Sequence, residues 1–345
     1  MKYIEDLQQL VAPFADSTVT LDSHTGGEMT RLVLTGARTI AGETMLDKLN
    51  HFRRHHDDLR LRLAREPRGH RGVVLAALTE PVSPTAAFGL LYMDARRYIY
   101  LCGHATIGAV ASLYTAGMLD LDEGETEVAI DTPSGLMTAR TEVVQRRLEA
   151  VTITMVPSFV FATNQRLEVE GFGPLDVDLV CTGGFFAMVR SEQVGLEPTA
   201  ANADKLADLG MRIIAAANDQ LQVAHPLRPE VKTVDVVEYY QHLPTEPDRG
   251  RGLVVYGEGK VDRSPCGTGT AAKLTLLHQR GEIEPQQPYI NESPLQTRFA
   301  ARIVAEASVG HYPAVVVEIT GMAQVTGVHA FLLSEDDPFP QGFLL

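Results

Sequence analysis

Along most of this chain apolar residues come in short runs bounded by glycine, proline and polar turns, a pattern that predicts strands. Residues 17–24 and 30–36 predict two strands around the polar, glycine-bearing connector Asp22-Ser23-His24-Thr25-Gly26-Gly27-Glu28-Met29-Thr30-Arg31, a composition typical of a site loop. Two more are predicted over 73–78 and 88–93. From Thr126 to Phe161 strand follows strand: Val128-Ala129-Ile130, a Pro133-Ser134-Gly135 turn, then 136–144 and 151–155. After a break at Gly171-Phe172-Gly173-Pro174, residues 177–188 read as one strand interrupted by Gly183-Gly184. Further strands are predicted over 233–237, 252–256, 302–306, 314–319 and 329–333. Helical spacing recurs in four places. Thr44 caps a helix whose apolar positions Met45, Leu49, Phe52, Leu59 and Leu63 share one face, and which Pro67 ends. Ala200 to Leu221 places Leu206, Leu209, Ile213 and Ala217 on one side. Residues 107–116 and 271–277 are helical runs, each opening just after a cysteine.

A chain of 345 residues exceeds one simple core and fits two domains. No low-complexity segment or flexible linker separates them, so they are expected to abut. We place the boundary near 150, with a first cysteine domain over 1–150 and a second over 151–325. No run of about 18 apolar residues is present, so no membrane-spanning helix is expected. Met1-Lys2-Tyr3-Ile4-Glu5-Asp6 lacks the apolar core of a leader. Three widely spaced cysteines form neither a disulfide framework nor a zinc pattern, and a cytoplasmic protein with reduced thiols is expected. The formal net charge of −14 argues against nucleic acid and anionic membranes as partners. Lysine is confined to Lys2, Lys48, Lys205, Lys232, Lys260 and Lys273.

The two helix starts are twins. Cys102/Cys266, Gly103/Gly267, Thr106/Thr270, Val110/Leu274, Leu113/Leu277, Gly117/Gly281 and Leu119/Ile283 coincide at one offset. A cysteine at a helix N-terminus, beside glycines that uncover backbone N–H groups, is expected to have its pKa lowered from about 8.5 toward neutrality. The same N–H groups make an anion site beside it. A pair of such thiols, one ionised and one protonated, can take a proton from one face of a carbon and deliver one to the other. Acyl transfer needs one thiol, a histidine and an orienting group, which leaves the second thiol idle. A redox pair normally comes as Cys-x-x-Cys. His104 follows Cys102 by two residues, and Thr268 holds the same place after Cys266. Asp262, on the approach to Cys266, could hold a cationic amine while the helix starts hold a carboxylate; turn or cap chemistry is the plainer alternative. His51, His55, His56 and Asp57 are interleaved with Arg53, Arg54, Asp58 and Arg60, and read as a solvated helix face rather than a metal site. Gly267-Thr268-Gly269-Thr270 with Lys273 lacks the frame of a phosphate loop. Cys181 has no twin and reads as packing.

Cys102-Gly103-His104 and Asp262-Arg263-Ser264-Pro265-Cys266-Gly267-Thr268-Gly269-Thr270 resemble the two active-site motifs of the proline racemases and hydroxyproline 2-epimerases. Asp22-Ser23-His24-Thr25 with Gly27-Glu28 and Thr30-Arg31, and Glu66-Pro67-Arg68-Gly69-His70, resemble two more, so the likeness spans residues 20 to about 285. The resemblance implies an α/β fold of the diaminopimelate epimerase kind: two pseudo-symmetric domains, each a curved, mostly antiparallel sheet around a central helix, with the active site between them. It implies that the C-terminal strand 326–345 returns to the first domain. It implies a two-base inversion without cofactor or metal, with Cys102 and Cys266 as acid and base, Asp262 and His104 near the ring nitrogen, and the amides of Gly103-His104 and Gly267-Thr268 on the carboxylate. The expected partner is then a small imino acid; homodimer assembly is left open. Two departures stand out. The family usually has proline where Met29 stands, and Tyr-Gly-Gly near Cys181-Thr182-Gly183. Its 3-hydroxyproline dehydratases replace one cysteine with serine or threonine, whereas both are cysteine here. At the positions of Val74 and Tyr256, proline racemases tend to carry phenylalanine, and hydroxyproline epimerases valine and cysteine. Val74 leaves room for a ring hydroxyl and Tyr256 offers a donor, which favours 4-hydroxyproline over proline. A non-catalytic amino-acid binder and a thiol redox sensor are the alternatives from other classes.

Overall fold

The computed structural model describes residues 17–345 apart from 38, 243–245 and 247. The N-terminal hexapeptide from which the lack of a leader is read lies outside the described residues. β1 (Thr18–Thr25) and β2 (Glu28–Val33) form an antiparallel hairpin whose turn, Gly26-Gly27, has φ of +59° and +99°, open to glycine at no steric cost. α1 (Met45–His55) follows, its first turn closed by the reciprocal Thr44–Asp47 capping box, and then α2 (Asp57–Ala64). The single helix expected here breaks at His56, where φ and ψ are −137° and 17°. Its apolar face survives the break: Met45, Leu49, Phe52, Leu59 and Leu63 are all buried in one cluster with Leu75, Leu91 and Met93.

The remaining elements come as two copies of one order. β3 (Val74–Thr79) lies parallel to β2, β4 (Phe88–Asp94) antiparallel to β3, and the short β5 (Tyr98–Ile99) against β4. α3 (Gly103–Thr115) then precedes β6 (Gly124–Thr132), parallel to β4, and the meander β7 (Gly135–Val144) and β8 (Arg147–Thr154). In the second copy, β10 (Gly173–Thr182) is antiparallel to both β9 (Ser158–Val169) and β11 (Gly184–Arg190). The short α4 (Ser191–Val194) and the long α5 (Ala203–Gln220) lead to β12 (Val234–His242), parallel to β11. β13 (Arg249–Tyr256) is antiparallel to β12 and carries the short β14 (Lys260–Val261). α6 (Gly267–Gln279) precedes β15 (Tyr289–Glu292), parallel to β13, and the meander β16 (Arg298–Val309) and β17 (Tyr312–Gly321). β18 (Ala323–Phe331) returns to pair with β1 along its whole length.

Pairing of β17 with β9 closes the second set of strands on itself. The first set is joined to it where the far end of β17 takes β8. α3 and α6 run inside. Every residue of α3 from Gly103 to Leu113 is buried, and α6 is nearly as enclosed. A helix apolar all round has no amphipathic stripe, so its first turns are not announced by periodicity. Two other expectations are corrected. Residues 177–188 are not one strand: Gly183, at φ +74°, turns the chain between β10 and β11. β9 runs on to Val169, past the Phe161 limit read from the sequence, because polar residues at its exposed positions mask it.

Arg31 of β2 fastens these layers. Its Nε and Nη2 reach both oxygens of Asp22 at 2.8–3.1 Å, and its Nη1 donates to the carbonyls of Leu63 and Arg68 at 2.8 and 2.6 Å. Both side chains of the pair are buried. Removing one partner of a buried pair strands the other charge and costs about 3–5 kcal/mol. Arg31→Met should therefore lower unfolding free energy in urea by about that amount. A loss under about 1 kcal/mol would show that Asp22 is satisfied without it.

Candidate active site

α3 and α6 start at the same kind of residue and meet. Cys102 is the N-cap of α3 and Cys266 the N-cap of α6. A Cβ built on Gly267 would lie 3.7 Å from Cα of Gly103, and the converse distance is the same. The two N-termini thus abut through their glycines, and the positive ends of both helix dipoles and their unpaired N–H groups converge. The cysteines are set differently. Cys102 is extended, with φ −144°. Cys266 holds φ +59°, a conformation that non-glycine residues adopt at a cost.

A cavity of about 380 Å³ opens over this junction. All nine residues singled out in the sequence line it: Val74, Cys102, Gly103 and His104 from the first half, and Tyr256, Asp262, Cys266, Gly267 and Thr268 from the second. Cys102 Sγ lies 3.4 Å from Nδ1 of His104; Cys266 Sγ lies 3.4 Å from Oγ1 of Thr268. The twin positions therefore supply each thiol with one polar neighbour. Cys266 Sγ also accepts from the Gly269 N–H at 3.3 Å. Asp262 is buried. Its Oδ1 accepts from Ser264 N–H and Oγ–H at 2.8 and 2.7 Å, and Oδ2 has no partner among the described residues. The turn of the β1–β2 hairpin rests on this loop: Glu28, fully buried, accepts from Arg263 N–H and Nη1 at 2.9 and 3.1 Å.

The expectation of thiols tuned toward neutrality is corrected. Burial, with the Asp262 carboxylate next to it, pushes the Cys266 thiol well above its ordinary value. Burial pushes Cys102 up to about 12, the Ala105 N–H opposing and the Asp262 and Glu28 carboxylates adding to the rise. Desolvation of a fully buried anion outweighs the helix ends. Burial holds His104 below the usual histidine range. Glu28 is raised to about 7, by burial and then by Asp262.

Some residues were not singled out in the sequence. Thr182, Gly183 and Gly184 of the β10–β11 turn line the cavity, as do Val231, Thr233 and Val236 around the start of β12; none carries a chemical signal. Glu28 was read only as part of a motif, although a glutamate in a strand with no exposed face is a signal in itself. Cys181 is buried in the core of the second half and does not line the cavity. Among the described residues no group of three or more histidine, cysteine or acidic side chains is placed to hold a metal, and no helix is long and apolar enough to cross a membrane.

Two copies of one strand order, each enclosing a helix that begins at a cysteine on a shared cavity, fit the racemases and epimerases, the isomerases that invert a carbon. Comparison of the sequence narrows the class: the chain belongs to the proline racemase family, whose profile matches residues 20–344. It is 38% identical to the proline racemase of Clostridioides difficile over 333 residues, 96% of this chain and 99% of that one. It is 39% identical to the 4-hydroxyproline 2-epimerase of Streptosporangium roseum over 325 residues, 94% and 97% of the two chains. The crystal structure of a hydroxyproline epimerase from Agrobacterium vitis with bound trans-4-hydroxy-L-proline superposes with a TM-score of 0.88, at 31% identity, over 96% of each chain.

The thiol environment is directly testable. Asp262→Asn removes a negative charge that disfavours both thiolates, so both pKa values should fall. Iodoacetamide alkylation resolved by peptide mass spectrometry should then show its midpoints at Cys102 and Cys266 moving to lower pH. Midpoints that stay in place at both sites would remove Asp262 as a cause of their elevation.

Proposed function

We propose that this protein inverts the α-carbon of 4-hydroxyproline by proton transfer between Cys102 and Cys266, with proline as the alternative substrate. The observation that carries the two-thiol reading is the junction itself: two cysteines from opposite halves border one cavity whose floor is made of two helix N-termini. The substrate carboxylate would sit on the N–H groups of Gly103-His104 and Gly267-Thr268, where an anion is favoured. Its ammonium would meet the unpartnered Oδ2 of Asp262. One cysteine thiolate removes the α-proton, and the other cysteine delivers its S–H proton to the opposite face. The product leaves with the two thiols in exchanged protonation states, which the reverse reaction or solvent exchange resets.

Burial has a use in this reading. The α-proton of an amino acid is a very weak acid, and a thiolate with an elevated pKa is a better matched base than an ordinary one. The bound ammonium would offset Asp262, relieving part of the penalty on the thiolate. No step calls for a cofactor or metal.

The substrate preference rests on Val74 and Tyr256. Both line the cavity. The Tyr256 side chain is buried, and its hydroxyl makes no hydrogen bond to a described residue. The hydroxyl is not among the buried atoms cut off from solvent, so it is open to a ligand in the cavity, and the ring hydroxyl of 4-hydroxyproline is a fitting acceptor. The two cysteines disfavour the 3-hydroxyproline dehydratase reading, since the family's dehydratases carry serine or threonine at one of these places.

Cys102→Ala and Cys266→Ala should each lower turnover by about a hundredfold or more and leave the fold intact by circular dichroism. α-Proton exchange in D₂O, followed by proton NMR over the isomers of proline and hydroxyproline, is the assay, because it reports proton removal whatever the product. Normal turnover in either variant would end the two-base reading, and Cys181→Ala should be nearly silent.

A neutral hydrogen bond contributes about 0.5–1.5 kcal/mol. Tyr256→Phe should therefore shift the ratio of kcat/KM for 4-hydroxyproline over proline about threefold to tenfold toward proline, and Val74→Phe should act in the same direction by filling space. A ratio unmoved in both variants would leave proline as the better substrate assignment.

A further inference from the structure

We propose that the buried Glu238–Lys273 pair, tied through Asn291 to the peptide before Cys266, positions Cys266 and makes its thiol inequivalent to that of Cys102. The inference rests on the reading of Cys266 as a proton-transfer group.

Neither side chain of the pair has any solvent exposure, and Lys273 Nζ lies 3.2 Å from Glu238 Oε1. The ammonium donates to Oδ1 of Asn291 at 2.7 Å and to the carbonyl of Arg251 at 3.1 Å. Asn291, itself fully buried, turns its amide N–H groups to the Pro265 carbonyl at 2.9 Å and to Thr270 Oγ1 at 2.8 Å. Thr270 Oγ1 donates in turn to the same carbonyl at 3.1 Å. The peptide that leads into Cys266 is thus held from below by a chain of bonds that begins at a buried charge. Cys266, the residue it delivers, is the thiol-bearing residue held at positive φ.

The carboxylate end of the pair reaches the thiol from the other side. A Cβ built on Gly269 would lie 2.7 Å from Glu238 Oε2 and 3.3 Å from Cβ of Cys266. One glycine therefore separates the carboxylate from the thiol-bearing carbon, and the N–H of that glycine donates to Cys266 Sγ. On Gly252 a built Cβ would lie 2.7 Å from Oε1 and 3.1 Å from Lys273 Nζ, so two glycines make room for the pair. Neither Glu238 Oε1 nor Oε2 meets a well-aligned hydrogen-bond donor among the described residues, so the pair is held by charge. The charged groups around Cys266 are Asp262 on its own loop, Glu238 of β12 and Lys273 of α6. Burial pushes Glu238 up and Lys273 down, each opposed by the other's charge.

Among the described residues the first half has no such device. The seventh residue of α6 is Lys273, and the seventh of α3 is the buried Ala109. The carbonyl of Cys102 is held by Thr106 Oγ1 at 2.8 Å, and that hydroxyl meets Tyr92 OH at 2.6 Å. Neutral hydroxyls thus stand where the second half has an ion pair. A buried ion pair is on balance no better for stability than packed apolar groups, so its presence on one side only calls for another role.

The test is site-resolved alkylation with iodoacetamide across pH, read by peptide mass spectrometry, together with kcat and KM. In the unsubstituted protein the two cysteines should show different midpoints; coincident midpoints would overturn the proposal. Glu238→Gln should lower the Cys266 midpoint and Lys273→Met should raise it, with Cys102 unmoved in both. Each should lower kcat by on the order of tenfold to a hundredfold with KM little changed, the mark of a misplaced reacting group. Should a single substitution prevent folding by stranding a charge, the double variant Glu238→Gln/Lys273→Met strands none. Its opposite charge effects on the Cys266 midpoint offset one another, so kcat is the readout there, and a folded double variant with unchanged kcat would assign the pair to structure alone. Failure of the underlying two-thiol reading would show separately, as turnover retained in Cys266→Ala.

Discussion

The contact between Gly103 and Gly267 is the constraint from which the rest follows. Two helices that point their N-termini at one another bring together like partial charges in a buried place, which is unfavourable until an anion fills the gap. The contact is allowed because neither residue has a side chain. It fixes the approach of the two halves, sets both N-cap cysteines at the rim of one cavity, and leaves backbone donors aimed into it. In the proposed reading the substrate carboxylate is the missing counter-charge, so affinity and architecture answer to the same requirement.

Placing thiols at such a junction creates a competition between the helix ends, which favour thiolates, and the exclusion of water, which disfavours them. Burial wins at both sites, with nearby carboxylates adding to it. A site that reacted indiscriminately with electrophiles would need the opposite outcome. In the proposed reading the bound ammonium shifts that balance back toward the thiolate. In the same reading an elevated pKa makes the thiolate, once formed, a stronger base toward an α-carbon proton.

Much of this was legible in the sequence, for identifiable reasons. Cys102, Gly103, Cys266 and Gly267 stand out because cysteine–glycine recurs at two helix starts at one offset, His104, Thr268 and Asp262 by their places beside them, and Val74 and Tyr256 only through the family resemblance; the nine line one cavity. Amphipathic elements were legible too: α5 buries Leu206, Leu209, Ile213 and Ala217 as its spacing requires. The enclosed helices α3 and α6 were seen only in part, since a helix buried all round has no periodic stripe. Periodicity could not separate β10 from β11 either, as apolar runs continue across Gly183. Least legible were Glu238 and Lys273. A lone charge within Val236-Val237-Glu238-Tyr239-Tyr240, and another within an apolar helix, signal a buried pair, but nothing in one dimension says that they face each other. The upward direction of the thiol pKa is not legible either, because burial is a property of the assembled cavity and not of the motif.

The return of β18 to β1 also orders events during synthesis. The strands from β9 to β17 close on themselves and are contiguous in the chain, so that half can complete its pairing as soon as β17 has left the ribosome. The first half is made earlier yet must wait, because β1 lacks its outer neighbour until residues 323–331 emerge. For that interval β1 presents an unpaired edge, the kind of surface on which nascent chains aggregate. The half synthesised first is therefore the half finished last, and a chain stopped before β18 would carry an intact second half beside an open sheet.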